Sequence, residues 1–325
     1  MIEILAIPPL ATVQDLGREG HWSQGLGRAG AMDGLAHRAV NLLLDNDETA
    51  ATVEIPLPPA RFRFGARQAF AIAGAACGAT LAGRMLPRIW AGTAEAGDVL
   101  ELGAITQGAR IYLALPGGID VPEMLGSRST QLREAFGGHE GRVLSPGDIL
   151  NPASAAEIEF PQGGLSLTLP PLRAPGQDDI TLRALPSTEH DSFTKEALLA
   201  FWSTPYEITR QSNRQGYRLE GAALSRENTG ELRSHGIVPG IVQVPGGGQP
   251  IIQLADSATM GGYPKIAAVI EPDLWRIAQA RPGDGLRFVK ATPAEAEQAE
   301  HEQTELLEDI RTRIADFRGQ QRSWA

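Results

Sequence analysis

The sequence predicts a mainly β protein with a few helices, arranged as two β-rich domains. The 37 glycines and 23 prolines are spread along the 325 residues rather than gathered in one tract, as expected when many short strands are joined by tight turns. Apolar stretches such as ARIYLAL (109–115) and IAAVI (266–270) are typical of buried strands in a barrel or sandwich. With 42% hydrophobic residues, the chain can bury a large core.

One turn signature occurs three times and marks where strands begin. It consists of Gly-Asp followed, after one residue, by an aliphatic residue, and it lies within residues 95–103, 145–152 and 281–289. The glycine can adopt a positive φ and the aspartate can cap the turn. Each signature therefore predicts a turn that leads directly into a strand.

Three stretches predict helices. Residues 31–46 and 191–202 carry apolar side chains at helical spacing. In the tail, Thr292-Pro293-Ala294-Glu295 has the form of a capping box with proline at the first helical position. The tail helix then carries an aliphatic stripe formed by Leu306, Leu307, Ile310, Ile314 and Phe317. Because the positions between them are mostly acidic or mixed, we expect this stripe to dock on the chain's own barrel or on a partner subunit rather than on a membrane.

The proline- and glycine-rich stretch at residues 160–180 is the best candidate linker. It predicts an N-terminal β-rich domain over residues 1–165, a C-terminal β domain over 175–292 and an amphipathic helix over 293–325.

Charge and hydropathy exclude several classes of partner. A net charge of −10 argues against sequence-independent binding of nucleic acid, because such binding needs clustered lysine and arginine. The N-terminal segment has no basic region before its short apolar run, and no apolar stretch approaches the roughly 20 residues of a membrane span. We therefore expect a cytoplasmic protein that binds neither nucleic acid nor membrane.

Familiar catalytic and metal-binding motifs are absent from the sequence. The glycine-rich stretch at residues 114–130 suggests a phosphate cradle, but no Gly-Lys pair exists to complete a P-loop. The chain also has no G-x-S-x-G elbow and no H-E-x-x-H helix. The single cysteine, Cys77, lies among small apolar residues, which is typical of a packed thiol rather than a nucleophile.

The six histidines are scattered and do not predict a metal site. His37 lies in a predicted helix and His301 in the tail helix, so we expect both to be solvated or capping residues. His139 and His235 lie in glycine-flanked loops, where a side chain more often faces a cleft.

Four polar, glycine-punctuated loops remain, at residues 12–33, 117–130, 212–221 and 235–267. They contain five short motifs, which are Gln14-Asp15-Leu16-Gly17-Arg18, Gly30-Ala31-Met32-Asp33, Gly126-Ser127-Arg128-Ser129-Thr130, Gln243-Val244-Pro245 and Gly261-Gly262-Tyr263-Pro264. In this order, over nearly the whole chain, the motifs resemble the family known as the 5-oxoprolinase C-subunit, allophanate hydrolase subunit 2 or biotin-dependent carboxyltransferase family.

The resemblance implies a cyclophilin-like β-barrel and a partner subunit of related fold, similar to the B-subunit of 5-oxoprolinase, with a lactam-utilisation subunit as a further candidate partner. The chain departs from the family pattern at two places. The family usually has a glutamine in the run Asp256-Ser257-Ala258-Thr259, and a glutamate where this chain has His235. The chain has no Met-Lys pair for biotin attachment and no recognisable ATP-binding loop. No cofactor is expected to be bound covalently, and ATP or carboxybiotin would be supplied by partner subunits.

The candidate site residues lie in the same loops. Arg128 and Arg214 sit beside small hydroxyl or amide residues, a setting suited to holding a small carboxylate or amide substrate through a planar guanidinium. An equally weighted alternative is that both arginines tie loops together through internal carboxylates or carbonyls. The predicted substrate-binding set is completed by Ser127, Ser129, Asn213 and Gln243. Asp15, Arg18 and Asp33 are predicted to support the loops, and Asp256, Tyr263 and His235 are the candidate catalytic residues.

Three functions remain open at this stage. The first is a subunit of an ATP-dependent 5-oxoprolinase, which opens the lactam of 5-oxoproline to glutamate and acts only within a complex. The second is the carboxyltransferase component of a biotin-dependent urea or amide carboxylase. The third is a regulatory binding protein that antagonises a kinase inhibitor, as some members of the resembled family are described to do. A prolyl isomerase role is not expected, because resemblance of a barrel does not by itself transfer chemistry.

Overall fold

A computed structural model describes residues 1–227, 230 and 232–322. The chain packs as two compact units, each assembled from separate stretches of sequence. The N-terminal unit contains Met1–Arg18, Asp33–Pro170 and the chain from Gln303 onwards, and the C-terminal unit contains Glu19–Met32 and Pro171–Glu302. The linear domain division predicted from residues 160–180 stays a prediction.

The N-terminal unit is built on one ten-stranded sheet. Its strands are β1 (Ile2–Ala6), β2 (Thr12–Gln14), β3 (Thr52–Pro56), β4 (Ala60–Phe64), β5 (Gln68–Leu81), β6 (Arg84–Met85), β7 (Trp90–Ala94), β8 (Val99–Ala114), β9 (Ile149–Leu150) and β10 (Leu165–Ser166). The main strand order is β10-β7-β5-β8-β4-β1-β9, while β3 joins β2 to β8 and β6 pairs with β5. The predicted apolar strand at 109–115 is the last part of β8.

Aromatic side chains fill the core of this unit. The rings of Phe64 and Phe70 are 4.8 Å apart, and those of Phe70 and Trp90 are 5.3 Å apart. All three side chains are almost completely buried. Gly92 is required beside Trp90, because a Cβ at that position would lie 2.3 Å from the indole ring.

Helix α1 spans Gly34–Leu43 and is shorter than the predicted 31–46. It begins where the Asp33 side chain accepts a hydrogen bond from the backbone N–H of Ala36, as an N-cap does. The apolar side of the helix is buried, as its pattern predicts.

His37 on α1, predicted to be a solvated or capping residue, is neither. It is fully buried, with Nδ1 2.9 Å from Thr52 Oγ1 and Nε2 3.1 Å from the carbonyl oxygen of Glu48. Burial lowers its pKa to about 4. The structure thus makes His37 a neutral core residue whose polar atoms are satisfied by groups from beyond its own helix. His301, by contrast, lies exposed on the tail helix as expected.

The C-terminal unit contains a closed seven-stranded barrel. Its strands and those of a small two-stranded sheet are β11 (Ile180–Pro186), β12 (Tyr206–Ile208), β13 (Gly216–Glu220), β14 (His235–Gly236), β15 (Ile241–Gln243), β16 (Ile251–Gln253), β17 (Met260–Gly261), β18 (Lys265–Val269) and β19 (Gly285–Lys290). The barrel order is β11-β18-β15-β16-β13-β12-β19, closed by a parallel pairing of β11 with β19, and β14 pairs with β17 outside it. The predicted mainly β fold with a barrel is confirmed.

Two short helices accompany the barrel, α2 (Lys195–Ser203) and α3 (Leu274–Ala278). Phe201 of α2 stacks on Phe288 of β19, with ring centroids 4.5 Å apart and an interplanar angle of 20°. The second predicted helix, at 191–202, therefore starts a few residues later than its sequence pattern indicates, after a 3-10 turn at His190–Ser192.

The repeated turn signature behaves as predicted at all three sites. Gly97, Gly147 and Gly283 have φ values of 90°, 92° and 91°. The following aspartates, Asp98, Asp148 and Asp284, each accept a hydrogen bond from the backbone N–H three residues before them, at 2.9, 2.8 and 2.7 Å. The turns lead into β8, β9 and β19, so the glycine and the aspartate together set the start of each strand.

The tail helix, α4, spans Pro293–Arg322. The predicted capping box is present, because Glu295 Oε2 accepts from the backbone N–H of Thr292 at 2.7 Å and Thr292 Oγ1 accepts from that of Glu295 at 3.3 Å. Three members of the aliphatic stripe, Leu307, Ile310 and Ile314, are buried within the chain itself. This part of the helix belongs to the N-terminal unit, so the stripe docks on that unit rather than on the barrel.

Candidate functional site

Asp15 is the centre of a buried polar network in the N-terminal unit. Its Oδ1 accepts hydrogen bonds from the hydroxyls of Ser127 at 2.7 Å and Ser129 at 2.5 Å, and from the backbone N–H of Gly17 at 2.8 Å. Its Oδ2 accepts from the backbone N–H of Arg128 at 2.5 Å. The carboxylate therefore holds the loop at residues 126–130 in place, which supports the predicted supporting role of Asp15 and leaves both serine hydroxyls engaged with protein.

Arg18 reinforces the same loop. It is 1% exposed, its Nη2 donates to the carbonyl oxygen of Ser129 at 2.7 Å, and its Nη1 lies 3.3 Å from Gln131 Oε1. The guanidinium also lies over the ring of Phe136, 4.7 Å from its centroid. These contacts support the prediction that Arg18 stabilises the loop.

Arg128 is the more accessible of the two predicted substrate-binding arginines. Its side chain is 41% exposed, with Nη1 3.2 Å from Glu123 and Nε donating to the carbonyl oxygen of Val121 at 3.2 Å. The contact with Glu123 is a surface ion pair, which contributes little to stability and can be exchanged for a ligand at small cost. Arg128 therefore presents an accessible guanidinium on a loop that Asp15 holds in place, and its contact with substrate stays a prediction.

Asp33 lies elsewhere in this unit and caps α1. Its backbone N–H donates to the hydroxyl of Tyr112 at 2.8 Å, and that hydroxyl donates to Glu54 Oε2 at 2.6 Å. Burial, with Glu54 and Asp33 nearby, raises the pKa of Tyr112 well above its ordinary value. The contacts of Asp33 support its predicted structural role.

In the C-terminal unit, Arg214 is engaged by protein groups. Its Nε and Nη2 each lie 2.9 Å from an oxygen of Asp256, and Nη2 also donates to the carbonyl oxygen of Gly30 at 2.7 Å. The Arg214 and Asp256 side chains are 9% and 13% exposed. This geometry favours the interpretation that Arg214 ties loops together (the staple interpretation) over the interpretation that it holds substrate. It also gives Asp256 a structural contact in place of a free carboxylate.

Asn213 stabilises the turn in front of β13. Its Oδ1 accepts from the backbone N–H of Gln215 at 2.8 Å, and its backbone pairs with Gly216. An asparagine that bonds the backbone two residues ahead is a common turn former. Its predicted contact with substrate stays a prediction.

Gln243 lies at the end of β15, beside Lys265 at the start of β18. It is 3% exposed, accepts from Gln253 Nε2 at 3.0 Å and approaches the carbonyl oxygen of Tyr263 with its own Nε2 at 3.4 Å. A Cβ at position 261 would lie 2.6 Å from Gln243 Nε2. A side chain at position 261 would therefore push the Gln243 amide away from its observed position.

His235 belongs to a polar cluster that also contains Lys265 and Glu189. Lys265 is 3% exposed, and its Nζ contacts His235 Nε2. Glu189 Oε1 lies 3.4 Å from His235 Nε2, and Glu189 Oε2 accepts from the backbone N–H of Lys265 at 3.0 Å. Burial lowers the pKa of Lys265, with Glu189 opposing the shift. The His235 imidazole, which is 40% exposed, is thus the accessible member of the cluster, beside the buried amine of Lys265.

The C-terminal unit also contains a cavity of about 710 Å³. It is lined mainly by apolar side chains and glycine backbone, with Leu224, Leu232, Val244 and Tyr263 on its walls and Arg226 as its charged residue. Tyr263 is 52% exposed, and Pro264, which also lines the cavity, directly precedes Lys265. A mostly apolar cavity with a few polar groups at its edge is typical of a small-molecule site.

The structure brings some predicted residues together and leaves others apart. His235, Gln243 and Tyr263 share one region of the C-terminal unit, and Asp15, Arg18, Ser127, Arg128 and Ser129 share one region of the N-terminal unit. Sequence reasoning missed Glu189, Gln253 and Lys265. Of these, Lys265 could have been found, because it directly follows the Gly-Gly-Tyr-Pro motif.

His139 lies against Asp148, with 3.6 Å between Nε2 and Oδ1, and its side chain is 20% exposed. Cys77 is half-buried on β5, and burial raises the pKa of its thiol. A raised pKa disfavours the thiolate, in agreement with a packed rather than nucleophilic cysteine.

Within the described residues, no group of three or more His, Cys, Asp or Glu side chains is arranged to hold a metal ion. Over the same part of the chain, none of the helices combines the length and apolar character needed to cross a membrane.

Comparison with known proteins gives concordant matches. Residues 24–290 match the family described as carboxyltransferase domain, subdomain A and B. The chain is 39% identical over 314 residues to the C-subunit of 5-oxoprolinase from Escherichia coli strain K12, covering 97% of this chain and 99% of that protein. It is 32% identical over 301 residues to urea amidolyase of Saccharomyces cerevisiae, covering 89% of this chain but only 16% of that protein.

The fold also matches a solved structure. The crystal structure of the Kluyveromyces lactis urea carboxylase superposes with a TM-score of 0.87 and 28% identity, covering 95% of this chain and 29% of that one. The chain thus corresponds to a whole protein in one kind of relative and to a single region of a much longer protein in the other.

Proposed function

Because this chain belongs to the carboxyltransferase domain, subdomain A and B, family together with the C-subunit of 5-oxoprolinase, we propose that it is one subunit of an ATP-dependent 5-oxoprolinase. The enzyme would open the lactam of 5-oxoproline to glutamate. The observation that carries the proposal is the match at 39% identity across nearly the full length of both proteins. The match to urea amidolyase spans only a small part of that protein.

The chemistry of the substrate fits the residues described above. 5-Oxoproline carries one carboxylate, which needs a cation, and Arg128 offers a guanidinium held by a braced loop. Opening the ring breaks the amide C–N bond, so the leaving nitrogen must gain a proton. In the C-terminal unit, the cluster of His235, Lys265 and Glu189 contains groups able to supply one. The Arg128 loop and this cluster are therefore alternative candidate sites, and each is tested by itself.

The ATP would be bound and used by partner subunits, and this chain would supply binding and proton-transfer groups. The candidate partners are a related barrel subunit, similar to the B-subunit of 5-oxoprolinase, and a lactam-utilisation subunit. A subunit that lacks its own nucleotide motif is expected to be inactive alone, so the purified chain should turn over 5-oxoproline only after mixing or co-expression with those subunits.

The first test is a coupled assay of the reconstituted complex with 5-oxoproline and ATP, with this chain present or omitted. We expect ADP and glutamate to form only when the chain is present. Co-elution with the related barrel subunit in size-exclusion chromatography should accompany the activity. Turnover that is unchanged without the chain would contradict the proposal.

A carboxyltransferase function is the second candidate, because the fold matches the urea carboxylase structure with a TM-score of 0.87. In that case a partner would deliver carboxybiotin, and urea or another amide would accept the carboxyl group. A parallel assay in which urea replaces 5-oxoproline, together with a biotin-carrying partner, separates the two candidates.

Replacement of Arg128 by lysine tests the anion-binding role. Lysine keeps the charge but loses the planar fork, so affinity for 5-oxoproline should fall about 10- to 100-fold, corresponding to roughly 1–3 kcal/mol. Because Arg128 is well exposed, the melting temperature should stay close to that of the unmodified chain. Arg133→Lys is the matched control, since Arg133 follows five residues later and is 67% exposed. Equal affinities in the two variants would rule out the role assigned to Arg128.

A further inference from the structure

The contacts of His235 determine where its protons lie. Its Nδ1 is 3.0 Å from the carbonyl oxygen of Arg233. A carbonyl oxygen can only accept, so Nδ1 carries the hydrogen and donates it. In the neutral imidazole, Nε2 then has a lone pair, and the adjacent Nζ of Lys265 can donate into it. A protonated Lys265 can only donate. While it is protonated, the two side chains therefore form a hydrogen bond only when Nε2 carries no hydrogen.

The same nitrogen also has a partner after it gains a proton. Glu189 Oε1 lies 3.4 Å from Nε2 and can accept from an Nε2–H. Glu189 is itself held by the Thr188 hydroxyl, which donates to Oε1 at 2.9 Å, and by the backbone N–H of Lys265. The charged groups that face His235 are Lys265 from β18 and Glu189 from the segment before the 3-10 turn.

A proton can therefore pass between Lys265 and His235 without any further reactant. The N–H bond on Nζ breaks as an N–H bond forms on Nε2, which converts the ammonium to an amine and the imidazole to an imidazolium beside the Glu189 carboxylate. Of the three side chains, His235 is the one placed to meet a bound molecule, because it is 40% exposed while Lys265 is 3% exposed.

We propose that His235 is the proton donor to the leaving amide nitrogen and that Lys265 and Glu189 are its positioning residues. Together with the Arg233 carbonyl oxygen, Lys265 favours the Nδ1–H tautomer over the Nε2–H form that Glu189 could accept from, and it returns a proton to Nε2. Glu189 stabilises the imidazolium. The assignment of the leaving nitrogen rests on the proposed 5-oxoprolinase function, whereas the tautomer and its dependence on Lys265 do not.

The tautomer is measured by NMR on the purified full chain labelled with ¹⁵N in histidine, in mildly alkaline buffer. His235→Gln assigns the signal of residue 235. We expect His235 to be an Nδ1–H imidazole in the unmodified chain, and we expect Lys265→Met to shift it towards a mixture of tautomers, while Lys265→Arg retains a donor and preserves the original signal. Lys290→Met, on the exposed end of β19, is the matched control and should change nothing.

Two results would overturn the proposal. One is an Nε2–H tautomer in the unmodified chain, and the other is a tautomer that Lys265→Met leaves unchanged. In the reconstituted complex, Lys265→Met and Glu189→Gln should each lower kcat by about 10²-fold, the scale of general acid catalysis, with little change in KM. If the complex shows no 5-oxoproline turnover at all, the proposed function is wrong. The tautomer measurement on the isolated chain still tests the role of Lys265 independently.

Discussion

Replacing Asp256 by alanine is expected to lower the free energy of unfolding by about 3–5 kcal/mol. The substitution removes both carboxylate oxygens from Arg214, whose guanidinium would then remain buried without this counter-charge. The carbonyl oxygen of Gly30 can hold one nitrogen but supplies no formal charge. Urea unfolding followed by circular dichroism measures the loss.

A surface ion pair provides the control for Asp256→Ala. Glu101 lies 3.0 Å from Arg61, and both side chains are about half exposed. Glu101→Ala should change stability by no more than about 1 kcal/mol. If Asp256→Ala were as stable as Glu101→Ala and yet inactive in the complex, Asp256 would be a site residue and the staple interpretation of Arg214 would be wrong.

The sequence predicted those features that local geometry determines. The Gly-Asp turns were readable because a positive φ and a capping carboxylate are properties of adjacent residues, and their positions agree at Gly97, Gly147 and Gly283. The tail capping box was readable for the same reason. The barrel was predicted from the family resemblance. Five short motifs in a fixed order identify a family specifically, even though each motif alone is a weak signal.

The sequence could not predict the contacts that join distant residues. Asp15 meets Ser127, 112 positions later, and Lys265 meets Glu189, 76 positions earlier. Neither pair shares a local pattern, because the sheet register and the barrel closure bring them together. This is also why Arg214 looked equally suited to holding a ligand or a loop until its two bonds to Asp256 were seen.

His37 shows how a local pattern misleads. A histidine in an amphipathic helix is usually exposed, but the groups that satisfy this one, Thr52 and the carbonyl of Glu48, lie after the helix. Once these acceptors and donors are available, burial costs no unsatisfied polar atom. The ring is then held neutral, which links it to the pH dependence of the fold.

The buried imidazole of His37 is expected to make the N-terminal unit sensitive to acid. Its pKa is about 4 in the folded chain, against 6.5 as its ordinary value. Between these values the unfolded chain binds the proton and the folded chain does not, so stability is fully present above pH 6.5 and is lost as the pH falls towards 4. At about 1.4 kcal/mol per pKa unit, the loss is on the order of 3 kcal/mol.

Unfolding measured across this pH range, in the unmodified chain and in two variants, isolates the contribution of His37 from that of the carboxylates. His37→Gln cannot take up a proton, so its stability should decline less steeply between pH 6.5 and 4, even if glutamine is less stable at neutral pH. His301→Gln, which removes an exposed histidine from α4, should leave the slope unchanged. Parallel pH curves for the unmodified chain and His37→Gln would show that the buried imidazole does not set acid stability. A curve that flattens only in His37→Gln would identify protonation of His37 as a source of the acid sensitivity of the fold.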